Sequence, residues 1–145
     1  MLALLQRVAC ASVAVDGATV SAIDRGLLVF LGVQRGDSLE HCERLAAKVL
    51  SYRMFGDDQG RMNRSVVDSG GAVLVVSQFT LAADTRKGLR PSFTPAAEPA
   101  LAESLYEAFV AQVAVRVPSV QTGRFGADMQ VSLCNDGPVT FLLSA

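Results

Sequence analysis

Alternating and continuous runs of apolar residues divide the first half of the chain into strands. Leu2 to Val8 is predicted to be a strand, and Ser12 to Val20 is predicted to be a hairpin that turns at Asp16-Gly17, a dipeptide suited to a type I′ turn. Two apolar runs, Gly26 to Val33 and Ala72 to Ser77, indicate strands that are covered on both faces.

Two other segments have the spacing of amphipathic helices. The first runs from Ser38 to about Ser51, and the second has Pro99 in its first turn and ends before Pro118. A long connection rich in Arg, Lys, Gly and Pro, from Ala82 to Ala97, precedes the second helix. The buried face of that helix is predicted to contain Leu101, Leu105, Ala108, Phe109 and Val113.

The C-terminal part of the chain is predicted to form two strands joined by a turn. Asp128 to Cys134 alternates between apolar and polar residues, Asn135 to Pro138 has the composition of a turn, and Val139 to Leu143 is largely apolar. No linker or internal repeat divides the chain. The pattern therefore predicts a single sheet-rich, mixed α/β domain over residues 1–145, with two long helices on one side.

Composition supports one packed domain and restricts the kinds of partner. The chain has 145 residues, of which 50% are hydrophobic and 19% charged, so it is expected to bury a sizeable core and a subunit interface. The formal net charge is −1, so a nucleic acid would need a local basic patch, and general DNA binding is not expected. The three cysteines form no CxxC pair, and no run has the length of a signal peptide or a membrane span. These features predict a cytoplasmic protein without a membrane partner.

The single histidine excludes several kinds of catalytic site. His41 is predicted to lie on the solvent face of the first helix, so a Ser-His-Asp or Cys-His hydrolase is not expected. The acidic residues Asp57 and Asp58 fit turn chemistry, and Asp128 and Asp136 fit solvated carboxylates better than metal ligands. No phosphate-binding glycine loop occurs. No metal and no cofactor are therefore expected.

Two segments do not fit a purely structural role. Polar residues and an aromatic follow the buried strand directly in Ser77-Gln-Phe-Thr-Leu81, where they would line a pocket or simply end the strand with locally bonded hydroxyls. Gly137 precedes Pro138 between two predicted strands. This peptide bond is either a trans bond in an ordinary turn or a cis bond that orients the two neighbouring carbonyls in the same direction.

These two segments together resemble the paired signature of the D-aminoacyl-tRNA deacylases, which hydrolyse D-amino acids from mischarged tRNA. The matching residues are Ser77-Gln-Phe-Thr-Leu81 and Asn135-Asp-Gly-Pro-Val-Thr140. Gln6-Arg-Val8, Arg90-Pro-Ser-Phe93 and Thr122-Gly-Arg-Phe125 also resemble the family, in order along the chain. The resemblance implies barrel-like β layers with the two helices packed on one side.

The resemblance further implies a homodimer whose active sites are shared between subunits. Gly137-Pro138, as a cis peptide held by Arg7, would enter the partner's pocket formed by Ser77 to Leu81. By the same resemblance the catalytic group is Ser77, Gln78, Phe79 and Thr80, and the group for substrate binding and chiral selection is Gly137, Pro138, Arg7 and Met129. The long connection supplies the tRNA-binding group, Arg86, Lys87 and Arg90, as the basic patch that a tRNA acceptor end requires; the alternative is that these are solvated loop charges.

The expected reaction is ester hydrolysis without a metal. Backbone N–H groups of Phe79 and Thr80 are candidates for an oxyanion hole, with Thr80 as a positioning group and water as nucleophile. The carbonyls of Gly137 and Pro138 would bind the substrate ammonium and leave no volume for an L side chain, so that glycyl-tRNA would also be cleaved. Two alternatives remain open, a non-catalytic dimer that shelters a tRNA end and a small-ester hydrolase that uses Cys134.

Overall fold

The chain folds into a mixed α/β structure in which the first strand is the centre of a nearly closed, barrel-like sheet. The computed structural model describes all residues, 1–145. Its elements, in chain order, are β1 Leu2–Val15, β2 Ala18–Ile23, β3 Gly26–Gly32, α1 Leu39–Ser51, β4 Phe55–Gly56, β5 Met62–Arg64, β6 Ala72–Ser77, a 3₁₀ helix Phe79–Ala82, α2 Pro99–Ala114, β7 Val120–Thr122 and β8 Gln130–Ser144.

Strand β1 pairs with three other strands. One of its edges is covered by β8 for almost its whole length, and the other edge pairs with β3 and then with β2. Strands β3, β6 and β7 continue the sheet in parallel. The predicted hairpin between β1 and β2 is confirmed, because Asp16 and Gly17 have φ values of 52° and 77°, as a type I′ turn requires.

Strands β3 and β6 are buried on both faces, which explains their continuous apolar sequences. Leu27 and Val73 belong to the larger core, which packs against both helices, whereas their neighbours Leu28 and Leu74 belong to a smaller core on the opposite face. The helices contribute Cys42, Leu45, Val49, Phe109 and Val113, among others, to the larger core. Burying residues of this kind contributes about 1.5–3 kcal/mol per large side chain.

The predicted turn at Asn135 to Pro138 is wrong. Both flanks of this segment pair antiparallel with β1, so the chain does not reverse and β8 is one strand. The partner of Gln6 is Thr140 and the partner of Val8 is Asn135, so the residues between them on β8 bulge out opposite Arg7. The segment has the composition of a turn, but it forms a bulge because β8 pairs with β1 on both sides of it.

Two smaller differences concern the helices. Leu101, predicted to be buried, has 41% of its surface exposed because α2 packs through Leu105 and Phe109, about one and two turns further on. His41 is half-buried rather than solvated, and its Nδ1 accepts a hydrogen bond of 3.1 Å from the backbone N–H of Ser38 at the start of α1. Neither helix has the length and apolar character needed to cross a membrane.

Candidate active site

A cavity of about 530 Å³ opens where β6 ends. Its volume exceeds that of a few water molecules and falls in the range of small-molecule sites. The walls are mainly apolar and aromatic, with polar groups at one side. The lining includes Leu31, Val76, Ser77, Gln78, Phe79, Ala97, Tyr106, Phe125, Asp128 and Met129.

The signature segment after β6 forms the polar side of this cavity. The backbone N–H of Gln78 donates to the carbonyl of Leu31 over 2.8 Å, which fixes the exit of β6 against β3. The chain then enters the 3₁₀ helix, whose first N–H groups, those of Phe79 and Thr80, have no acceptor within the helix. The Gln78 side-chain amide donates to Thr80 Oγ1. The segment therefore presents free backbone donors beside a positioned hydroxyl.

Gly32, which sequence reasoning did not single out, allows this segment to lie close to β3. A Cβ atom on Gly32 would lie 2.9 Å from Leu81 Cβ and 3.1 Å from the Gln78 carbonyl oxygen. Both distances are shorter than ordinary contacts, so a side chain at this position would displace the 3₁₀ helix. The sequence does not reveal this role, because Gly32 lies in an apolar run and nothing in the sequence shows which distant residues pack against it.

The opposite wall of the cavity is built around Met129. Its Sδ accepts a hydrogen bond of 3.3 Å from the backbone N–H of Arg124. A Cβ atom on Gly123 would lie 2.7 Å from the same sulfur, so glycine makes room for Met129. Tyr106 donates its hydroxyl to the Val75 carbonyl over 2.9 Å, and burial raises the pKa of Tyr106 to about 12. Tyr106 is thus a neutral structural wall at physiological pH.

Asp128 is the one carboxylate in the cavity lining. The sequence predicts solvated carboxylates at Asp128 and Asp136, and both residues are exposed. The structure separates the two, because Asp136 lies beside Arg7 on the bulge of β8. The position of Asp128, immediately before Met129, could have been found only once the start of β8 was known to face the cavity.

The bulge of β8 is held by side chains of β1 and of β8 itself. Arg7 Nε donates to the Asp136 carbonyl over 2.9 Å, and Arg7 Nη1 donates to the Met54 carbonyl over 2.8 Å. Asn135 Oδ1 accepts a hydrogen bond of 2.7 Å from the backbone N–H of Val139, which closes the bulge from within. Asn135 was part of the matching motif but received no role from the sequence. The Gly137-Pro138 peptide between these anchors is cis, and both residues are exposed.

The two signature segments do not meet within one chain. Ser77, Gln78, Phe79 and Met129 line the cavity together, whereas Thr80, Arg7 and the Gly137-Pro138 pair lie outside its lining. One subunit therefore contains both halves of the predicted site in separate places.

The predicted tRNA-binding residues lie on the long connection between the 3₁₀ helix and α2, and all three are exposed. Arg86 forms a bidentate pair with Asp84, with 2.7 Å between Nη2 and Oδ2 and 2.9 Å between Nε and Oδ1. The Arg86 guanidinium holds the pKa of Asp84 far below its usual range. Lys87 and Arg90 form no ion pair, so they are the freer positive charges of this group.

The remaining candidates have structural roles or lie apart from the cavity. Asp57 accepts the backbone N–H groups of Gln59 and Arg61, both at 2.9 Å, as the predicted turn chemistry requires. Cys134 is exposed on β8, outside the cavity lining. No group of three or more His, Cys, Asp or Glu side chains is arranged to hold a metal ion.

Comparison with known proteins identifies relatives along almost the whole chain. The family model described as D-Tyr-tRNA(Tyr) deacylase matches residues 4–144. A protein named D-aminoacyl-tRNA deacylase from Janthinobacterium sp. (strain Marseille) is 63% identical over 143 residues, which cover 99% of this chain and 96% of that protein. One of the same name from Shewanella denitrificans is 61% identical and covers 99% of each chain.

Two solved structures have the same fold. One, titled c-Myc DNA Unwinding Element Binding Protein, has a TM-score of 0.96 and 41% identity, and covers 100% of this chain and 99% of its own. The other, titled as a probable eukaryotic D-amino acid tRNA deacylase, has a TM-score of 0.85 at 17% identity, with 99% and 98% of the two chains covered, and supports the fold alone. The predicted fold class is confirmed, and the chain belongs to the D-Tyr-tRNA(Tyr) deacylase family.

Proposed function

We propose that this chain hydrolyses the ester bond of D-aminoacyl-tRNA and releases the free D-amino acid and tRNA. Membership of the family makes the chain a hydrolase of the aminoacyl-tRNA ester. The observation that carries the detailed proposal is the group of backbone donors at the start of the 3₁₀ helix, where Ser77, Gln78 and Phe79 line a largely apolar cavity and the Thr80 hydroxyl follows directly along the chain. We assign the reaction to the cytoplasm, where tRNA is charged.

The N–H groups of Phe79 and Thr80 would stabilise the oxyanion that forms when the ester carbonyl is attacked. Both groups lack an acceptor inside the 3₁₀ helix, so they are available without reorganisation. A preorganised donor of this kind contributes about 100–1000-fold to the rate. An aminoacyl ester is already more labile than an amide, so such donors and a positioned water are sufficient.

Thr80 acts as a positioning group in this mechanism. The side-chain amide of Gln78 donates a hydrogen bond to the Thr80 hydroxyl oxygen and so orients the hydroxyl. An amide is not a base that could remove the proton of this hydroxyl. Water is therefore the nucleophile, assisted by the neighbouring ribose hydroxyl of the substrate. The apolar cavity, with Phe125 and Met129 in its walls, has the size and character to hold the terminal nucleoside.

The second half of the site would come from a partner subunit. Gly137 and Pro138 are exposed on a bulge that Arg7 and Asn135 hold in a fixed shape, and they do not line the cavity of their own chain. We infer that they enter the cavity of the partner in a homodimer. Their carbonyls would bind the substrate ammonium and exclude an L side chain, and a D side chain would point to solvent.

The tRNA acceptor end would be held by positive charge near the cavity. Lys87 and Arg90 are exposed and without an ion pair, and they lie on the connection that continues from the signature segment. Arg86 would contribute less, because Asp84 already neutralises it. A phosphate contact of this kind positions the substrate and carries no sequence information.

The experiment that tests the proposal is turnover of D-aminoacyl-tRNA by the native protein, with Thr80→Ala and Cys134→Ser variants and with prolonged chelation. We expect hydrolysis by the native protein, a strong loss in Thr80→Ala, and little change in Cys134→Ser or after chelation. Binding of tRNA without turnover would instead favour a dimer that only shelters the tRNA end. Loss of activity in Cys134→Ser would favour the small-ester hydrolase.

The role of Thr80 is tested by a search for a covalent intermediate. The proposal predicts that quenched single-turnover reactions contain no aminoacyl group bound to the protein, as judged by intact mass. It also predicts that Gln78→Ala and Thr80→Ala have non-additive effects, because the two side chains share one hydrogen bond. Detection of an aminoacyl ester on Thr80 would show that Thr80, and not water, is the nucleophile.

A further inference from the structure

Two arginines border a groove of about 460 Å³ that is separate from the candidate active site. The groove lies where both helices end, and its lining includes Ser51, Arg53, Ser65, Asp68 and Arg116. Arg53 follows the last residue of α1 by two positions and Arg116 follows the last residue of α2 by two positions, and both are exposed. Neither arginine forms an ion pair. We refer to this feature as the arginine groove.

The helix ends that border the groove have other hydrogen-bond donors. Arginine near a helix C-terminus commonly donates to the last carbonyls of the helix. In α1, however, Ser51 Oγ donates to the carbonyls of Ala47 and Lys48 over 2.8 and 3.3 Å. In α2, the Val113 carbonyl accepts two backbone N–H groups over 3.0 and 3.1 Å. The two guanidiniums are therefore not required as helix caps and are available to a ligand.

The groove carries a net positive charge although it contains one carboxylate. Asp68 Oδ2 accepts hydrogen bonds from the backbone N–H and the hydroxyl of Ser65 over 2.9 and 2.7 Å. These bonds, the backbone one most strongly, hold the pKa of Asp68 below its usual range, so the carboxylate is ionised. Two guanidiniums and one carboxylate give a net charge of +1. Guanidinium groups match the oxygen atoms of a phosphate group in geometry as well as in charge.

The arginine groove lies at the end of the molecule that carries the bulge of β8. Arg7 donates to the carbonyls of Met54 and Asp136 over 2.8 and 2.9 Å, so one guanidinium joins the two segments. Arg53 directly precedes Met54 and Gly137 directly follows Asp136, each at the spacing of about 3.8 Å between consecutive Cα atoms. Arg53 therefore lies beside the bulge that contains the cis peptide.

The other arginine of the groove lies on the side of the molecule away from β8. Helix α1 is close to β8, since Lys48 Nζ donates to the Ser144 carbonyl over 3.1 Å. Helix α2, which Arg116 follows, packs against β7 at the opposite end of the sheet. The groove thus begins beside the bulge and extends across the helix side of the molecule. In the proposed homodimer, a partner that receives the bulge adjoins one end of the groove and does not cover the other.

We propose that the arginine groove binds phosphates of the tRNA acceptor strand whose terminal nucleoside occupies the partner's cavity. This inference rests on the proposed function, in which the bulge enters that cavity. The strand that leaves the cavity passes the bulge, where Arg53 and then Arg116 contact its phosphates. Each tRNA is thus held by both subunits, by Lys87 and Arg90 of the subunit with the cavity and by the arginine groove of the subunit with the bulge. Such contacts position the tRNA and read no base.

The experiment compares the native protein with the double variant Arg53→Gln/Arg116→Gln and with Arg44→Gln as a matched control. Arg44 is an exposed arginine of α1 outside the groove. We expect the KM for D-aminoacyl-tRNA to rise severalfold in the double variant, and the slope of log KM against log salt to fall by about one per arginine. The control should match the native protein. D-aminoacyl-adenosine lacks the contacted phosphates, so its hydrolysis should be the same in all three proteins. A native KM for the tRNA, or equal losses on both substrates, would overturn the proposal.

Mixed dimers show which subunit supplies the groove. When Thr80→Ala and Gly137→Ala subunits pair, the working site takes its cavity from the Gly137→Ala subunit and its bulge from the Thr80→Ala subunit. The double substitution at Arg53 and Arg116 should raise the KM when it is placed on the Thr80→Ala subunit, and should leave the KM unchanged on the Gly137→Ala subunit. Equal effects from both placements, or the reverse order, would contradict binding across the dimer.

Two further measurements separate the possible causes of failure. If the native protein does not hydrolyse D-aminoacyl-tRNA, the proposed function fails and the groove proposal fails with it. If the native protein is active and the double variant has the native KM, the groove proposal alone fails. Light scattering should give the same molar mass for the native protein and the double variant. A smaller assembly would show that the arginines join the subunits instead of binding tRNA, and it would overturn the proposal.

Discussion

Arg7 Nε lies 2.9 Å from the carbonyl oxygen of Asp136, so a side chain of the first strand holds the last strand at the residue before Gly137. The same guanidinium donates to the Met54 carbonyl and lies 3.5 Å from the Asp136 carboxylate. Only the planar fork of arginine serves two carbonyls in different directions from one fixed position. Arg7 therefore sets the shape of the bulge as well as its attachment.

We predict that Arg7→Lys lowers both stability and deacylation. An ammonium group cannot serve both carbonyls in this geometry, and an unpaired buried acceptor costs about 1–3 kcal/mol. Urea unfolding and turnover of D-aminoacyl-tRNA measure the two effects. Arg64→Lys is the matched control, because Arg64 pairs with Asp58 on the surface and should change stability by less than about 0.5 kcal/mol. A variant at Arg7 as stable and active as the native protein would contradict the assigned role.

We predict that mixed dimers of two inactive variants recover activity. Gly137→Ala should disable the bulge, since its Cβ would lie 2.5 Å from Val139 Cγ2 at a φ of +144° that L residues rarely adopt. Thr80→Ala should disable the other half of the site. After subunit exchange, a heterodimer would have one composite site with both halves intact, so deacylation should reappear. Proven exchange without recovery would rule out the shared site.

We predict that glycyl-tRNA is cleaved while L-alanyl-tRNA resists. A site that excludes L substrates because it has no space for a side chain on one side of Cα cannot exclude glycine, which carries only a hydrogen atom on each side. Deacylation of glycyl-, L-alanyl- and D-alanyl-tRNA at matched concentrations measures the difference. If glycyl-tRNA resists as strongly as L-alanyl-tRNA, the site must grip a D side chain directly, and exclusion by volume would have to be abandoned.

We predict that Gly123→Ala reduces deacylation more than it reduces stability. The new Cβ would lie 2.7 Å from Met129 Sδ, and the flexible methionine can move, but only by changing the cavity wall. KM and kcat for D-aminoacyl-tRNA, with Tm alongside, separate the two effects. Gly56→Ala is the control, since its Cβ would meet nothing closer than 3.9 Å. Equal effects of the two substitutions on activity would remove Met129 from the site.

We predict a loss of stability at alkaline pH that depends on Cys42. Burial raises the pKa of its thiol from 9.0 to about 11 in the folded state, so the unfolded chain releases this proton first. The contribution of the protonated Cys42 thiol to the free energy of unfolding is therefore fully present below about pH 9 and is lost as the pH rises towards 11. Urea midpoints between pH 8 and 11 should fall less steeply for Cys42→Ala than for the native protein. Parallel curves would show that the thiol is not the source.

The sequence predicted the strands and helices whose pattern is set by burial, such as β3, β6 and α1. It failed at Asn135 to Pro138, because a bulge and a turn share the same residues and only the continued pairing with β1 distinguishes them. The family resemblance identified the signature residues, whereas Gly32 was not singled out and Gly123 belonged to a matching segment without a role. Each of these glycines makes room for a residue that is distant in the sequence or in a neighbouring segment, Leu81 for Gly32 and Met129 for Gly123. Only the folded structure shows these contacts.

Strand β1 pairs with β8, and this pairing joins Leu2 to Ser144. One edge of β1 therefore stays unpaired until β8 has been synthesised. Contacts of such sequence separation slow folding, because the entropy of closing a long loop is lost before the contacts form. A growing chain that has not yet reached residue 130 has neither the second edge of β1 nor the Gly137-Pro138 bulge. A nascent or truncated chain therefore exposes an unpaired edge of β1 that can associate with other chains, and it cannot carry out the proposed reaction before the last strand is added.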